Sequence, residues 1–356
     1  MRYLTRVLVI AFLFIPLAQV VSADSSSPTI LHKWGVTGVD EGNFTHPDSV
    51  AADSMGNVYV ADTDNNRIQK FDSKGKFVTK WGSHGPSDGQ FRTPNGIAVD
   101  SKGNIYVADT YNDRIQKFTS NATFVTKWGS VGDGNGKFKQ PCGIAVDSKG
   151  NVYVADTYNE RIQKFDSKGK FVTKWGSLGD DDGQFRTPKG IAVDSKGNVY
   201  VADTYNFRIQ KFDSKGKFVT KWGSHGTGDG QFTTPKGIAV DSKGNVYVAD
   251  TYNYRIQKFT SKGKFITKWG TGGSGNGQFL HPMDLTVDSK GNIYVADASN
   301  SRIQKFTSKG KFIAKWGSLG DGDGQFRTPN GIAVDSKGNI YVADTYNDRI
   351  QKFVRP

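Results

Sequence analysis

A 47-residue repeat runs through this chain of 356 residues and restricts its fold more than any other feature. Seven copies of the segment Arg-Ile-Gln-Lys-Phe lie 47 residues apart, the first at 67–71 and the last at 349–353. The seven tryptophans keep the same spacing, at Trp34, Trp81, Trp128, Trp175, Trp222, Trp269 and Trp316. A fixed period of this length is typical of architectures built from one supersecondary unit that packs against its own copies.

One copy, residues 91–130, divides into four short runs separated by turn residues. The runs lie at 96–99, 105–108, 114–118 and 124–128. Their length and their content of Val, Ile, Tyr and Phe predict strands rather than helices. The first two runs are apolar on both faces and the fourth alternates. We therefore expect the first strand to lie beside the axis, buried on both faces, and the fourth to face solvent.

The two ends of the chain predict a closed ring. A lone fourth run at 30–34 precedes the first full copy, and the last copy stops after its third run at 349–353. Pairing these two runs would complete the seventh sheet and remove exposed strand edges. Four-stranded sheets arranged in this way are the blades of a propeller. The prediction is an all-β, seven-bladed β-propeller of antiparallel blades over residues 30–356, seven repeats of 47 residues.

The repeated pattern also resembles a known family. Pro-x-Gly-Ile-Ala-Val-Asp, followed by Asn-(Val/Ile)-Tyr-Val-Ala-Asp-Thr-x-Asn-x-Arg-Ile-Gln-Lys-Phe, is similar to the NHL repeat over residues 30–356. This resemblance implies a β-propeller, in a family whose members often have six blades. Seven complete copies of the pattern predict seven blades here.

The first 23 residues differ in kind from the repeats. A basic start, an apolar run at 7–21 and small residues before Asp24 are typical of a secretory signal peptide. We expect 1–23 to be the signal, 24–29 a short linker, and the mature protein to be secreted or exposed at the cell surface. An uncleaved N-terminal anchor is the alternative, and no membrane span is expected after signal removal. Two sequons, at Asn43 and Asn121, match the glycosylation pattern of an exported chain.

Residues identical in every copy are interpreted as architecture. Asp109 and Arg114 combine an acid and a cation, but a pair repeated in each blade is expected to be a buried or half-buried ion pair that braces the loop between the second and third strands. The tryptophans are expected to pack between blades or along the rim. Cys142 is the only cysteine, so the core depends on packing without an intrachain disulfide. It is interpreted as a free structural thiol.

Three positions in each copy vary while their surroundings repeat, and all three are expected where the first strand begins, at an end termed the variable face. The residues after the proline, expected at the mouth of the central channel, are Asp48, Asn95, Cys142, Lys189, Lys236, Met283 and Asn330. The residues before the proline are His46, Thr93, Gln140, Thr187, Thr234, His281 and Thr328. The residues before the repeated arginine are Asn66, Asp113, Glu160, Phe207, Tyr254, Ser301 and Asp348.

These positions predict a polar funnel with lysines on one side, carboxylates on the other and an aromatic rim. The candidate ligand-binding residues are the seven that follow the prolines, together with Phe207 and Tyr254. Five rim tyrosines complete the set, namely Tyr111, Tyr158, Tyr205, Tyr252 and Tyr346. Neutral drift on a solvated rim is the alternative interpretation.

The opposite end of the strands, termed the lysine face, repeats the turns Ser-Lys-Gly-Asn and Ser-Lys-Gly-Lys, as at 101–104 and 167–170. With a net charge of +13, this face suits a polyanion such as an acidic glycan or an anionic lipid surface. Lysines that only maintain solubility are the alternative. Nucleic acid is disfavoured as a partner because the signal directs the chain out of the cell.

Two histidines, His46 and His281, precede the proline in copies one and six. The family resemblance extends to peptidyl-hydroxyglycine α-amidating lyases, which hold zinc on histidines near the channel. Catalytic zinc generally takes three protein ligands, and no third histidine is expected there, so both are weak metal candidates. The loops at 179–183 and 321–324 contain Gly and Asp but lack full calcium-loop spacing. We predict no resident cofactor, with zinc or calcium as the alternative.

The sequence therefore favours a non-enzymatic extracellular propeller that binds a protein, peptide or glycan on the variable face. A metal-assisted lyase or hydrolase in the channel is the alternative function.

Overall fold

The computed structural model describes residues 29–354; the expected signal and residues 24–28 of the expected linker lie outside these bounds. Within them the chain forms 28 strands and six 3-10 helices of three residues each. In chain order the strands are β1 (Thr29–Trp34), β2 (Pro47–Ala52), β3 (Val58–Asp62), β4 (Arg67–Phe71), β5 (Phe77–Trp81), β6 (Pro94–Val99), β7 (Ile105–Asp109), β8 (Arg114–Phe118), β9 (Phe124–Trp128), β10 (Pro141–Val146), β11 (Val152–Asp156), β12 (Arg161–Phe165), β13 (Phe171–Trp175), β14 (Pro188–Val193), β15 (Val199–Asp203), β16 (Arg208–Phe212), β17 (Phe218–Trp222), β18 (Pro235–Val240), β19 (Val246–Asp250), β20 (Arg255–Phe259), β21 (Phe265–Trp269), β22 (Pro282–Val287), β23 (Ile293–Asp297), β24 (Arg302–Phe306), β25 (Phe312–Trp316), β26 (Pro329–Val334), β27 (Ile340–Asp344) and β28 (Arg349–Val354). The 3-10 helices are Thr110–Asn112, Thr157–Asn159, Thr204–Asn206, Thr251–Asn253, Ala298–Asn300 and Thr345–Asn347.

The strands form seven antiparallel sheets of four, and six of these sheets follow chain order, from β2-β3-β4-β5 to β22-β23-β24-β25. The seventh has the order β1-β28-β27-β26 and so joins the two ends of the chain. β1 runs antiparallel to β28, with Thr29 opposite Val354 and Trp34 opposite Ile350. The predicted seven-bladed propeller, closed by the N-terminal strand, is confirmed. In residues 29–354 no helix has the length and hydropathy needed to cross a membrane.

Burial across a blade is greatest in its two middle strands. In the second blade all residues of β7 and β8 are buried. The inner strand β6 has buried and half-buried residues, whereas β9 alternates between half-buried and exposed ones. The expectation that the first strand is buried on both faces is therefore wrong, because its inner side borders the central channel. The solvent-facing fourth strand is as expected.

The hydrophobic core lies between blades. Between the second and third blades, for example, Tyr106 packs with Phe138 and Val152 in one buried cluster. Trp128 extends from β9 towards the third blade, where its ring centroid lies 5.5 Å from that of Phe165. The equivalent pair recurs around the ring, so the expected inter-blade role of the tryptophans is confirmed.

A buried ion pair fixes the loop after each second strand. In the second blade Arg114 Nε donates to Asp109 Oδ2 over 2.7 Å, and both side chains are almost fully buried. The Asp109 carboxylate also accepts hydrogen bonds from the amide of Arg92 and from the side chains of Asn112 and Gln116. The same ion pair is present in all seven blades, which confirms the predicted structural role.

Candidate functional site

The seven inner strands border one cavity of about 340 Å³ at the axis of the propeller. Its wall contains the residue after the proline from every blade, as the sequence predicts. This ring, termed the channel mouth, consists of Asp48, Asn95, Cys142, Lys189, Lys236, Met283 and Asn330.

The next residue along each inner strand is glycine in five blades. Neighbouring inner strands approach so closely that a Cβ added to Gly143 would lie 2.1 Å from the carbonyl oxygen of Lys189. Ser49 and Asp284 take this place in the first and sixth blades, and both line the cavity. Asp284 is not among the residues predicted from sequence, although comparison of the second residue after each proline would have found it.

Carboxylates collect in the first and sixth blades, on either side of the seventh. Asp284 accepts hydrogen bonds from the amides of Leu285 and Ile332, over 2.9 Å and 3.4 Å. Burial raises the pKa of Asp284 to about 6, and the nearby Asp48 charge adds to the effect. Asp48 Oδ1 accepts a 3.2 Å hydrogen bond from Asn330 Nδ2, and burial also raises the pKa of Asp48. Asp48, Asp284 and Asn330 are termed the acidic arc.

Lys189 and Lys236, termed the lysine pair, belong to the fourth and fifth blades. Lys236 Nζ lies 3.5 Å from the sulfur of Met283 and 6.0 Å from the centroid of the Tyr252 ring. Burial, with a contribution from the charge of Lys189, lowers the pKa of Lys236. Four lysines in the described part of the chain form ion pairs with aspartates, and Lys189 and Lys236 are not among them.

Cys142 lies in the channel mouth, in the blade next to that of Lys189. Its thiol is free, and burial raises the pKa of this thiol to about 11, so it stays protonated at neutral pH. A protonated thiol is a poor nucleophile and metal ligand. These properties agree with the interpretation of Cys142 as a structural thiol.

The rim tyrosines lie in the 3-10 helices and are between 47% and 55% exposed, so their rings are available to a ligand. Two of them contact the candidate histidines edge-on. The ring centroids of Tyr252 and His281 are 5.0 Å apart, and those of Tyr346 and His46 are also 5.0 Å apart. The other three exposed tyrosines are Tyr111, Tyr158 and Tyr205.

The residues before each proline and before each repeated arginine have a left-handed backbone, with φ between 47° and 60°. Side chains other than glycine rarely adopt this conformation, so the surrounding structure must stabilise it. At four blade junctions the side chain before the arginine accepts the amide hydrogen of the residue before the next proline, as Asp113 does from Gln140 over 2.7 Å. Phe207 has no side-chain acceptor and instead contacts His225, with ring centroids 4.6 Å apart, while the Tyr254 ring lies 5.5 Å from that of His281.

His46 and His281 belong to the first and sixth blades, which the seventh separates. His46 Nδ1 lies 2.6 Å from Asp64 Oδ2, and His281 Nδ1 lies 3.0 Å from Ser299 Oγ. Over residues 29–354 no group of three histidine, cysteine or carboxylate side chains is arranged to hold a metal ion.

The lysine face is built from a repeated turn around an aspartate. Asp194 Oδ1 accepts the amide hydrogens of Lys196 and Asn198, each over 2.9 Å. A cavity of about 230 Å³ between this turn and its neighbour is lined by Lys196 and Lys243. A similar cavity of about 220 Å³ follows at the next junction.

The sequence matches the family described as NHL repeat at seven segments, residues 44–71, 91–118, 138–165, 185–212, 232–259, 279–306 and 326–353. B-box type zinc finger protein ncl-1 of Caenorhabditis elegans is 53% identical over 45 residues, and Protein brain tumor of Drosophila melanogaster is 41% identical over 75 residues. The two matches cover 13% and 21% of this chain but only 5% and 7% of those proteins.

Solved structures with similar folds include streptogramin B lyase and virginiamycin B lyase from Staphylococcus aureus, each with a TM-score of 0.72 and 17% identity. Both matches cover 91% of this chain, and 97% and 99% of those chains. The WD40 propeller domain of Doa1 has a TM-score of 0.69 at 12% identity, covering 92% and 97%. At these identities the likeness shows a shared propeller fold.

Proposed function

Since the chain belongs to the NHL-repeat family, we propose that it is a secreted binding protein that recognises a protein, peptide or glycan on its variable face. The proposal depends on one observation. The position after the proline has five residue types in seven copies, and all seven residues line a single cavity.

The distribution of differences between copies argues for a binding role rather than neutral drift. Turns on the lysine face are also exposed, yet the turn after the first strand reads Ser-Lys-Gly-Asn in six of seven copies. Drift alone would change exposed turns on both faces. The differences instead concentrate on the variable face, in the inter-blade loops and at the starts of the inner strands, where one ligand would contact side chains from several blades at once.

Peptide and glycan arrays probed with the purified chain test this proposal. We expect Lys189→Ala and Tyr254→Ala to weaken binding of an array ligand by about tenfold or more, because Lys189 lines the cavity and Tyr254 lies on the variable face beside His281. Lys196→Ala removes a lysine from the other face and is the matched control, expected to change affinity less than about twofold. Equal binding by all three variants and the wild type would place the ligand elsewhere.

A metal-assisted lyase or hydrolase in the channel is the competing function, and the fold shared with two solved lyases is the reason to test it. Metal analysis of the purified wild type, His46→Ala and His281→Ala separates the two functions. Stoichiometric zinc that is lost in both variants would replace the binding proposal. Array binding that is unchanged in both variants would support it.

The lysine face offers a second binding surface, suited to a polyanion, because its cavities lie between adjacent lysine-bearing turns. We expect a sulfated polysaccharide to bind there with an affinity that falls steeply as salt is raised. The double variant Lys196→Ala with Lys243→Ala should weaken this binding, whereas Lys189→Ala should leave it unchanged. The reverse pattern would assign the polyanion to the channel mouth.

A further inference from the structure

The channel mouth contains charges of both signs that do not neutralise each other. The acidic arc belongs to blades one, six and seven, and the lysine pair belongs to blades four and five. Lys236 is therefore next to the sixth blade, which carries Asp284, whereas Lys189 and Asp48 lie three blades apart, on nearly opposite sides of the axis. Ion pairs in the described residues have N–O distances of 4.0 Å or less, and none joins Lys189 or Lys236 to Asp48 or Asp284. The cavity therefore separates the ammonium group of Lys189 from the carboxylate of Asp48, and within residues 29–354 no ion pair neutralises either charge.

Burial makes these unpaired charges unfavourable. Asp284 and Lys236 both line the cavity, and both have a pKa shifted towards the neutral form, to about 6 for Asp284 and below the usual value for Lys236. A charge removed from water is destabilised unless a counter-charge or hydrogen-bond partner compensates it. Within residues 29–354, Asp284 and Asp48 accept hydrogen bonds but neither pairs with a cation. A ligand with its own charges would supply what each side lacks.

The arrangement also restricts the class of ligand. A neutral sugar would leave both sets of charges unpaired, and a polyanion would be repelled by the acidic arc. A polycation would be repelled by the lysine pair. Only a ligand with an anionic group at one end and a cationic group at the other compensates both sides.

The remaining wall suits a chain of moderate polarity between those two ends. Ile97, Ile144 and Ile238 also line the cavity, and the sulfur of Met283 contacts Lys236. Peptide backbone with small side chains has the dimensions and mixed polarity that such a wall accommodates.

Resting on the binding function proposed above, we propose that the channel mouth holds a short peptide by its two free ends. The lysine pair binds the peptide carboxylate, and the acidic arc binds its α-ammonium group. Hydrogen bonds between ionised partners are roughly twice as strong as neutral ones, so both ends contribute to affinity.

The test uses pools of tripeptides of mixed sequence in three forms: free at both ends, N-acetylated, and C-amidated. Each pool is equilibrated with the full chain, and retained peptides are quantified by mass spectrometry. We expect the free pool to be retained, and each blocked form to bind about tenfold more weakly or worse. Equal retention of free and blocked pools would overturn the proposal, and so would absence of retention of any pool.

Variants then assign the ends. In Lys189→Met with Lys236→Met, the free and C-amidated pools should bind equally weakly, while sensitivity to N-acetylation remains. In Asp48→Asn with Asp284→Asn the free and N-acetylated pools should become equal, while sensitivity to amidation remains. Asn95→Ala changes the same ring at a neutral position and is the control for folding and cavity shape. Loss of sensitivity to both ends in every variant would contradict the assignment.

The outcomes also separate this inference from the function on which it rests. If no tripeptide pool is retained but binding of array ligands still depends on Lys189, the recognition of peptide ends is wrong. The variable face then remains the binding surface. If substitution of Lys189 and of Tyr254 leaves the binding of array ligands unchanged, both the recognition of peptide ends and the binding role of the variable face are wrong.

Discussion

The two faces of this propeller are made by the same repeat, but they differ in which features recur from copy to copy. On the lysine face both backbone and side chains recur, and each turn closes on an aspartate such as Asp194 that accepts two amide hydrogens. On the variable face the backbone recurs in every blade, including its left-handed residues, while the side chains differ. Backbone geometry on the variable face is therefore set by something other than the side chains that vary.

The buried Asp–Arg pair supplies that constraint. Arg114 donates to Asp109 and also to carbonyl groups of the preceding inter-blade loop, at Ser87 and Gln90. The pair thus joins the loop after the second strand to the loop that leads into the inner strand. Because this buried pair holds both loops, the residues that differ between copies on the variable face can change without moving the backbone.

The largest predicted loss of stability follows from breaking the Asp109–Arg114 pair. Asp109→Asn removes the counter-charge of a buried arginine and is expected to lower the free energy of unfolding by about 3–5 kcal/mol. Urea unfolding followed by tryptophan fluorescence measures the loss. Asp194→Asn in a turn of the lysine face is the comparison and should cost less, because that carboxylate pairs with amides rather than with a buried cation. An equal loss in both would show that the two faces are stabilised alike.

Asp284 provides a pH-dependent test within the channel. Its pKa is raised from 3.8 to about 6 in the folded chain, so the folded state binds this proton more tightly than the unfolded state. The resulting stabilisation is present below about pH 4 and is lost as the pH rises through 6, a change of up to about 3 kcal/mol. Asp284→Asn should therefore be more stable than the wild type at pH 7.5 and show little gain at pH 4.

The control for that prediction is Asp321→Asn, since Asp321 is exposed and lies in an inter-blade loop. Its stability should follow the wild type at both pH values. The groups that face Asp284 are Asp48 and the lysine pair, and they are unchanged in both variants. A wild-type pH slope that persists in Asp284→Asn would assign the slope to another group.

Most of the fold follows from the repeat, because a strict period and strand-length runs leave few architectures open. The tryptophan packing and the Asp109–Arg114 pair were predicted from residues identical in every copy, and the ring closure from the incomplete copies at the two ends. The burial of the first strand was not, since a continuous apolar run does not indicate that one side borders a channel. Asp284 was not predicted because it lies two residues after its proline, a position that holds glycine in five blades, whereas the predicted residues directly follow the prolines.

A smaller effect is expected at Ala122, where the lysine face departs from its own pattern. Ala122 is left-handed, with φ of 65°, at a turn position that holds a left-handed glycine such as Gly169 in other blades. Ala122→Gly should stabilise the chain by about 1 kcal/mol, because glycine adopts this conformation without a steric cost.

The reverse substitution, Gly169→Ala, is the matched test in the next blade. A Cβ there would lie 2.4 Å from the Trp128 ring, so we expect a loss larger than the gain at Ala122. Thermal unfolding of the two variants measures both values. Two changes of the same sign would mean that backbone conformation does not set the stability of these turns.

The smallest effect is predicted for an ion pair on the outer strand. Lys127 Nζ lies 2.6 Å from Asp88 Oδ1, nearly the distance found in the Asp109–Arg114 pair, but its side chains are 40% and 57% exposed. Exposed pairs typically contribute about 0.2–1 kcal/mol and are screened by salt. Lys127→Met should therefore cost under about 1 kcal/mol at low ionic strength and almost nothing in about 1 M salt. A loss as large as that of Asp109→Asn, or one insensitive to salt, would show that distance rather than burial determines the strength of these pairs.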